Sequence, residues 1–329
     1  MRGLVLRPGD SEGAARLEYL TDLPEPEPAS GEVLLRVLAC GVNHADRRPS
    51  FAGVEGPMPR VVGLEIVGEI IALGVEVQGW SEGERVLVDP SLGGARGLIG
   101  ITTDGGHAER VTVPAENLHR LPPDLDPELA AALPIAFSSA WHLLQGRARL
   151  KGDEIVLIAG ASGAFGLAAA QIANLAGCRV LALTSSEWKA RELKRLGCAV
   201  VFVSRGAADW PRAVLRATGR RGVDLVVDPV GPALWSGFLR VITPGGKLLS
   251  CGTLTGETAA LSLAELQSRE ISILGARPGG GADLSRVLSL VSLGQLGPII
   301  DRRLPLESGV EAYDLLDSRG LLGKIVLRP

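Results

Sequence analysis

One glycine-rich segment restricts the fold of this chain more than any other feature of its 329 residues. An apolar run beginning at Ile155 leads into the turn Ala161-x-Gly163-x-x-Gly166, and a stretch predicted to be helical follows. A buried strand, a glycine turn and a helix in this order are typical of dinucleotide-binding units. Gly163 would let the backbone approach a pyrophosphate, Gly166 would let the helix pack closely on the strand, and the helix N-terminus would attract the phosphates. The candidate contacts of this nucleotide site are Ala161, Gly163, Ala164, Phe165 and Gly166.

Strand-like and helix-like segments alternate around this turn, between about residues 122 and 275. The predicted strands are mostly apolar, which is typical of a doubly wound parallel sheet covered by helices on both faces. They lie at Ile155–Ala159, Arg179–Leu183, Val200–Val203, Asp224–Asp228, Lys247–Ser250 and Ile271–Leu274. The predicted helices lie at Gly166–Ala176, Glu187–Leu196, Trp210–Thr218 and Pro232–Val241.

The residues before 122 have a different pattern, with short β-like runs separated by glycine and proline turns. The clearest of these strands are Gly31–Ala39, Ile66–Leu73 and Arg85–Val88. Many short strands with irregular connections indicate an antiparallel, partly barrel-shaped domain. After residue 275 the sequence predicts two helices and a terminal strand, at Leu284–Leu293, Val310–Leu316 and Lys324–Leu327.

Charge and composition argue against several classes of function. The chain has 37 acidic and 34 basic residues without a basic block, so nucleic acid is not the expected partner. No apolar run approaches the ~20 residues of a membrane span, and the N-terminus turns polar too early for a secretory signal. The four cysteines form no C-x-x-C pair, which argues against disulfides or a zinc knuckle and favours a cytoplasmic location.

The type of nucleotide depends on the end of the second predicted strand, about 20 residues after the turn. An NAD site usually places Asp or Glu there to bind the ribose 2′-hydroxyl, but this chain has Thr184. The hydroxyls of Thr184, Ser185 and Ser186, together with the ammonium of Lys189, favour the 2′-phosphate of NADP. Glu187 is a contrary sign, and a solvated helix residue is the alternative interpretation of Lys189.

Five further motifs occur in order along nearly the whole chain. They are Gly41-Val-Asn-His-Ala-Asp46, Gly63-Leu-Glu-Ile-Val-Gly68, Gly105-Gly-His-Ala-Glu109, Val223-Asp-Leu-Val-Val-Asp-Pro-Val-Gly231 and Gly323-Lys-Ile-Val-Leu327. With these motifs the chain resembles the medium-chain dehydrogenase/reductase superfamily, in its quinone-oxidoreductase-like branch. The resemblance implies an α/β protein with a GroES-like catalytic domain at 1–121, completed by 276–329, and a Rossmann NADP-binding domain at 122–275. It also implies a homodimer formed through the edge of the Rossmann sheet.

The zinc-dependent alcohol dehydrogenases of this superfamily carry ligands that this chain lacks. They have Cys at the place of Asn43, His at the place of Leu64 and a third ligand near Ala136, and none of the residues found here forms a normal tetrahedral zinc site. Their four-cysteine zinc lobe would fall near residues 90–103, which contain no Cys. We therefore expect no bound metal, although Glu65 is retained beside a lost ligand.

Without a Lewis acid, hydride transfer from NADPH to an electron-poor carbon remains feasible. The resemblance places Asn43 at the nicotinamide and the substrate. His44 would donate or relay a proton unless it is a structural histidine, and Asp46 would orient a neighbour or cap a helix. The remaining candidate cofactor contacts are Ser139, Val230, Cys251, Gly252 and Thr253.

The sequence thus predicts an NADPH-dependent, zinc-independent oxidoreductase that reduces a small-molecule quinone or α,β-unsaturated carbonyl. An alcohol dehydrogenase-like carbonyl reductase of the same superfamily remains an alternative. A non-catalytic nucleotide-binding sensor is the alternative from another class. The sequence contains no Tyr-x-x-x-Lys, which argues against a short-chain dehydrogenase.

Overall fold

The computed structural model describes residues 1–9, 15–51, 53–93, 97–203 and 210–329. In chain order the described strands are β1 (Gly3–Pro8), β2 (Ala15–Leu20), β3 (Glu32–Gly41), β4 (Ser50–Phe51), β5 (Val54–Glu55), β6 (Arg60–Val61), β7 (Glu65–Leu73), β8 (Arg85–Val88), β9 (Arg110–Pro114), β10 (Leu118–Arg120), β11 (Ile155–Ile158), β12 (Arg179–Thr184), β13 (Val200–Val203), β14 (Val223–Asp228), β15 (Ile242–Ser250), β16 (Ser272–Gly275), β17 (Ile300–Pro305) and β18 (Lys324–Arg328). The described α-helices are α1 (Pro127–Ala130), α2 (Ala136–Trp141), α3 (Ala164–Leu175), α4 (Glu187–Arg195), α5 (Trp210–Ala217), α6 (Trp235–Val241), α7 (Leu263–Ser268), α8 (Gly281–Ser292) and α9 (Gly309–Asp317).

The chain divides into two compact units. Unit 1 comprises Met1–Ser138 and Gly279–Pro329, and unit 2 comprises Ser139–Pro278. Both boundaries lie later than the expected domain boundaries, which followed residues 121 and 275.

Contacts of the segment after residue 121 explain the first of these differences. Glu65 of β7 accepts a hydrogen bond from the Ile135 N–H over 2.7 Å. Glu128 of α1 forms ion pairs with Arg303 of β17 and Arg328 of β18. Residues 122–138 are therefore bound to strands that precede and follow them in the chain, and they belong to unit 1.

The largest sheet of unit 1 has the strand order β10-β8-β7-β3-β18-β17, and β9 also pairs with β3. Its neighbours run antiparallel except for β17 and β18, which are parallel. Along β3 the side chains of Val33, Leu35 and Val37 alternate into the core. The terminal strand β18 pairs with β3 through Leu327 and Cys40, so the C-terminus completes this unit.

The sheet of unit 2 has the order β13-β12-β11-β14-β15-β16, with all neighbours parallel. Counted along the unit this is 3-2-1-4-5-6, the order of a Rossmann fold. Its central strands are covered on both faces, as the full burial of Val156, Leu157 and Ile158 shows. On one face the Trp210 and Phe238 rings meet edge to face at 5.7 Å. The predicted fold class, a GroES-like β domain with a Rossmann domain, is confirmed.

Two further expectations from the sequence concern membrane-spanning helices and the zinc lobe. Among the described residues, no helix combines the length and apolar character that crossing a membrane requires. The stretch expected to lack a zinc lobe, 90–103, is described except at residues 94–96.

Candidate functional site

The glycine turn joins β11 to α3 at the carboxyl edge of the parallel sheet. Gly160 has a φ of +53° and makes the sharp turn, one residue before the position at which the sequence pattern places it. Ala161 is fully buried instead, and its N–H donates to the Leu183 carbonyl over 3.1 Å. A Cβ on Gly166 would lie 2.6 Å from the Ala161 Cα, so only glycine lets the helix approach the turn this closely.

Close packing explains why residue 166 is a glycine, but it does not explain the glycine at residue 163. Among the described residues, a Cβ at Gly163 would meet only the Gly160 carbonyl oxygen, at an ordinary 3.5 Å, and its φ of −77° suits any residue. Gly163 caps α3, and the first N–H groups of a helix have no acceptor within it. Open space before these donors and the positive end of the helix dipole fits a pyrophosphate. The donors are the N–H groups of Ala164, Phe165 and Gly166.

The end of β12 carries hydroxyls and a buried cation. Thr184 is 3% exposed, and its Oγ1 lies 3.4 Å from the Ser162 Oγ of the glycine turn. Ser186 has a buried Oγ for which the described part of the chain offers no hydrogen-bond partner. Lys189 is 4% exposed, with its Nζ 5.6 Å from the Trp188 ring centroid, so it is not the solvated residue of the alternative interpretation. The buried ammonium of Lys189 and the hydroxyl of Ser186 fit a 2′-phosphate. Thr184 carries no negative charge that would repel this phosphate.

The loop after β14 is held by one carboxylate. Asp228 is fully buried, and its Oδ1 accepts the Val230 and Gly231 N–H groups at 2.9 Å each. Its Oδ2 accepts the Trp235 Nε1–H at 2.8 Å. Burial raises the pKa of Asp228, and these three hydrogen bonds oppose the rise. The loop carrying Val230 is therefore fixed in shape before any ligand binds.

The end of β15 presents its backbone in the same region of unit 2. The Cys251 N–H donates to the Asp228 carbonyl over 3.0 Å. Burial raises the pKa of the Cys251 thiol far above its usual range, so the thiol stays protonated and is a poor nucleophile. A Cβ on Gly252 would overlap the Pro229 carbonyl, so only glycine fits there. Cys251, Gly252 and the exposed Thr253 lie where open α/β sheets bind ligands.

Two adjacent serines of α2 have different surroundings. Ser138 is 1% exposed, and its hydroxyl donates to the Pro134 carbonyl. Ser139 is half-buried and is the first residue of unit 2. Ser139 therefore keeps accessible surface, and the hydroxyl of Ser138 is bound to the backbone just before α2.

In unit 1, the Asn43 side chain is bound on both sides by charged residues. Lys324 Nζ donates to Asn43 Oδ1 over 2.6 Å, and Asn43 Nδ2 donates to Glu65 Oε2 over 3.1 Å. Lys324 and Glu65 also form an ion pair with each other, and their side chains are 3% and 0% exposed. Asn43 itself is half-buried and is the N-cap of a 3₁₀ turn at His44–Arg47.

Asp46 is the buried anchor of this turn. Its Oδ2 accepts the Asn43 N–H at 2.6 Å and the Tyr313 hydroxyl at 2.7 Å, and its Oδ1 accepts the Leu64 N–H at 3.2 Å. The side chain is 0% exposed, and this burial raises the pKa of Asp46 to about 7. The contact with the Asn43 N–H both caps the turn and holds Asn43, so the geometry fits each of the two roles predicted for Asp46, while the buried carboxyl has no surface for a substrate.

His44 faces a different set of partners. Its Nδ1 lies 3.4 Å from the Asp317 Oδ1, and Arg47 binds both oxygens of that carboxylate at 2.8 and 3.0 Å. The imidazole is 39% exposed, and burial of the rest lowers its pKa, with Asp317 opposing the shift. Asn43 and His44 are therefore adjacent in sequence, but their side chains have separate hydrogen-bond partners.

Tyr313, which donates to Asp46, also lies close to a buried histidine, His107. His107 Nε2 lies 3.3 Å from the Gly41 carbonyl, which can only accept, so Nε2 carries the proton and Nδ1 is the acceptor in the neutral ring. Nδ1 lies 3.4 Å from the Tyr313 hydroxyl. Burial lowers the pKa of His107 to about 3, so the ring stays neutral in the folded protein.

The parallel sheet, the glycine turn and the donors at its carboxyl edge are the features of a dinucleotide-binding Rossmann unit, in a chain that also contains a GroES-like unit. The comparisons with known proteins agree. Residues 29–123 match the alcohol dehydrogenase GroES-like domain family, and residues 164–292 match the zinc-binding dehydrogenase family. The chain therefore belongs to the medium-chain dehydrogenase/reductase superfamily, and its likeness to the quinone oxidoreductases described next places it in the quinone-oxidoreductase-like branch.

Three relatives illustrate the range of the superfamily. The quinone oxidoreductase of Lama guanicoe is 28% identical over 332 residues, covering 98% of this chain and 96% of that protein. The acryloyl-coenzyme A reductase of Metallosphaera sedula is 26% identical, covering 93% and 95%. The crystal structure of an NAD-dependent alcohol dehydrogenase is 33% identical, with a TM-score of 0.90 and full coverage of both chains. The chain is an oxidoreductase of this superfamily, whose members bind nicotinamide cofactors.

The zinc-binding dehydrogenase family implies a zinc ion, but the residues of this chain do not fit a zinc site. Leu64 is buried with Leu98 and Ile101 in an apolar cluster. The oxygen atoms of Asn43 and Glu65 that could face a metal ion already bind the Lys324 ammonium, whose positive charge would repel the metal. Within the described ranges, no three His, Cys, Asp or Glu side chains converge as metal ligands do.

Lys324, Tyr313 and His107 are the residues of this region to which sequence reasoning assigned no role. Lys324 stands 281 positions from Asn43, and Tyr313 stands 267 positions from Asp46. The motif Gly323-Lys-Ile-Val-Leu327 was one available signal for Lys324. For Tyr313 the only signal was that it is one of two tyrosines.

Proposed function

We propose that this protein is an NADPH-dependent reductase that transfers hydride to a quinone or an α,β-unsaturated carbonyl without a metal ion. The observation that carries the proposal is the surroundings of Asn43. A neutral hydrogen-bond donor, held by Lys324 and Glu65, stands where related alcohol dehydrogenases carry a zinc ligand. Such a donor assists acceptors that are already electron-poor, because it polarises an oxygen far less than zinc does.

The residues of unit 2 support the choice of cofactor. The N–H groups at the start of α3 and the open space at Gly163 would hold the pyrophosphate. Lys189 and the hydroxyls of Thr184, Ser185 and Ser186 would hold the 2′-phosphate. Ser139, Val230, Cys251, Gly252 and Thr253 would contact the nicotinamide end. Bound NADPH would supply the hydride.

The residues of unit 1 have distinct roles in this proposal. Asn43 donates its Nδ2–H to the acceptor oxygen on which negative charge grows during hydride transfer. His44, at the partly exposed end of the same turn, supplies a proton to the product through its contact with solvent. Asp46 holds the turn by accepting the Asn43 N–H, and it is a positioning residue.

The test is an assay of NADPH oxidation with 1,4-benzoquinone and with an enone such as cyclohex-2-enone. We expect turnover with at least one acceptor and a preference for NADPH over NADH. An absence of turnover with both acceptors, in a protein that binds NADPH, would support the nucleotide-binding sensor instead. Zinc that remains bound stoichiometrically after purification would overturn the metal-free proposal.

A carbonyl reductase is the second candidate, favoured by the likeness to an NAD-dependent alcohol dehydrogenase at 33% identity. The same assay distinguishes it when a reactive aldehyde replaces the enone. Faster turnover of the aldehyde than of the quinone or the enone would favour this second candidate.

A further inference from the structure

We propose that Lys324 and Glu65 are positioning residues that fix the Asn43 amide in one orientation and leave its second Nδ2–H as the donor to substrate. This inference rests on the proposed function for the identity of the acceptor. The orientation itself follows from the chemistry of three side chains. This orientation of the amide does not require a bound cofactor.

The orientation is determined because the two charged partners have opposite hydrogen-bonding capacity. An ammonium only donates, so the atom that Lys324 meets at 2.6 Å must be the amide oxygen. A carboxylate only accepts, so the atom at 3.1 Å from Glu65 Oε2 must be the amide nitrogen. A flipped amide would place donor against donor and acceptor against acceptor. Asn43 is therefore held by both of its polar atoms.

Counting the remaining groups identifies what Asn43 can offer a ligand. Its backbone N–H is bound by Asp46 Oδ2 at 2.6 Å. One Nδ2 hydrogen goes to Glu65, which leaves one Nδ2 hydrogen on a half-buried side chain. This N–H is a fixed donor of the kind that stabilises growing charge on an oxygen.

Glu65 is itself fully engaged. Its Oε1 accepts the Ile135 N–H at 2.7 Å and the Ala136 N–H at 3.4 Å, while its Oε2 faces Lys324 and Asn43. The carboxylate thus connects the Asn43 amide to the segment that begins α2. Because Glu65 is 0% exposed, water does not compete for these bonds.

The backbone leaves room for the lysine to reach this position. A Cβ on Gly41 would lie 2.8 Å from Lys324 Cε and 2.6 Å from the Ala131 carbonyl. Gly323, directly before the lysine, has a φ of +101°, which favours glycine. Two glycines therefore allow a 3%-exposed ammonium to lie against Asn43.

The first test observes the amide directly and does not depend on turnover. The chain contains only three asparagines, Asn43, Asn117 and Asn174, so labelling with ¹⁵N-asparagine gives three side-chain amide groups in the full-length protein. Asn43→Leu assigns the Asn43 signals by their loss. The paired variant Lys324→Met/Glu65→Gln removes both charges together, so that neither remains buried alone.

We expect the Nδ2 hydrogens of Asn43 to exchange with solvent at least ~10-fold faster in the paired variant. Asn117, whose Nδ2 donates to the Asp89 and Ser91 carbonyls at 2.7 and 2.8 Å, is the internal reference. Lys247→Met is the matched control, because Lys247 Nζ donates to the Ala148 carbonyl in unit 2. Unchanged exchange and unchanged shifts at Asn43 in the folded paired variant would overturn the inference.

The second test measures whether the orientation serves the reaction. In the wild-type background the paired change is expected to lower kcat with cyclohex-2-enone ~10-fold or more, while the NADPH Kd changes less than ~2-fold. In an Asn43→Leu background the same change is expected to have almost no further effect on kcat, because it acts through the amide. Equal losses in both backgrounds would show a general structural role and contradict the inference. If the wild-type protein reduces no acceptor, the proposed function fails, and the amide exchange still decides the orientation.

Discussion

The Tyr313 hydroxyl donates to Asp46 Oδ2 over 2.7 Å, which ties helix α9 to the turn that carries Asn43. Both side chains are almost fully buried, at 1% and 0% exposed. The same carboxylate oxygen accepts the Asn43 N–H. A residue near the C-terminus therefore helps to set the backbone position of the proposed donor to substrate.

Tyr313→Phe is expected to destabilise the protein by about 1–3 kcal/mol, because a buried carboxyl loses a hydrogen bond with little change in packing volume. The Tyr313 hydrogen bond lowers the pKa of Asp46, so its loss is expected to raise that pKa further. Urea unfolding measures the first effect. Tyr19→Phe, at the other, half-buried tyrosine, is the control, and an equal loss in both variants would contradict the assignment.

Two buried groups with opposite pKa shifts, Asp46 and His107, contribute to the dependence of stability on pH. The folded pKa of Asp46 is raised from 3.8 to about 7, so its contribution is present at low pH and is lost as pH rises toward 7. The folded pKa of His107 is lowered from 6.5 to about 3, so its contribution is present above pH 6.5 and is lost as pH falls. Between pH 3.8 and 6.5 the two slopes cancel, because the folded state holds one extra proton on Asp46 and the unfolded state one on His107.

Asp46→Asn removes one side of this balance. Relative to wild type, the free energy of unfolding is then expected to rise with pH by up to about 1.4 kcal/mol per unit between pH 4 and 6.5. His107→Gln is expected to give the opposite slope. Denaturant unfolding at several pH values measures both, and parallel curves for wild type and Asp46→Asn would contradict the raised pKa.

Lys189→Ala is expected to raise the KM for NADPH by about 10-fold or more and to leave the KM for NADH nearly unchanged. The reason is the loss of a charge-assisted hydrogen bond to the 2′-phosphate. Lys194→Ala is the matched control, since Lys194 lies exposed on the same helix α4. Equal effects of Lys189→Ala on the two cofactors would show that this lysine does not bind the phosphate.

The two glycines of the turn are expected to respond differently to alanine. Gly163→Ala would place a methyl group in the open space before α3, so we expect NADPH binding to weaken about 10-fold with little change in stability. Gly166→Ala would press against the Ala161 Cα, so we expect a loss of about 2 kcal/mol or more in unfolding free energy. Fluorescence titration and urea unfolding test the pair, and strong NADPH binding by Gly163→Ala would argue against the pyrophosphate site.

We expect the protein to form a homodimer through β16, one of the two edge strands of the parallel sheet. Two large apolar side chains between β15 and β16, Leu254 and Leu263, are 57% and 72% exposed. Sedimentation is expected to show two 34.3-kDa chains per particle, and Leu263→Asp is expected to weaken their association. Leu293→Asp is the control, because Leu293 is 70% exposed in unit 1. A wild-type monomer at micromolar concentration would contradict this prediction.

Sequence reasoning was most successful where a local pattern sufficed. The parallel strands were predicted because their apolar runs need cover on both faces, and β13 matches its predicted bounds of Val200–Val203. Strand β17 was missed, since Ile300–Pro305 carries Asp301, Arg302 and Arg303 and has no apolar alternation. It is a strand because β18 lies beside it and supplies its hydrogen bonds.

The sequence alone indicated the alternation of strands and helices in unit 2 and the glycine turn before α3, and it shows Asn43 and Leu64 where the resemblance implies zinc ligands. These features depend on backbone freedom, hydrophobic pattern and residue chemistry at single positions. The tertiary structure decided which charges meet Asn43 and that Lys189 and Asp46 are buried. The physical reason is that partners and burial depend on which distant segments the sheets bring together, and Lys324 reaches Asn43 only because β18 pairs with β3.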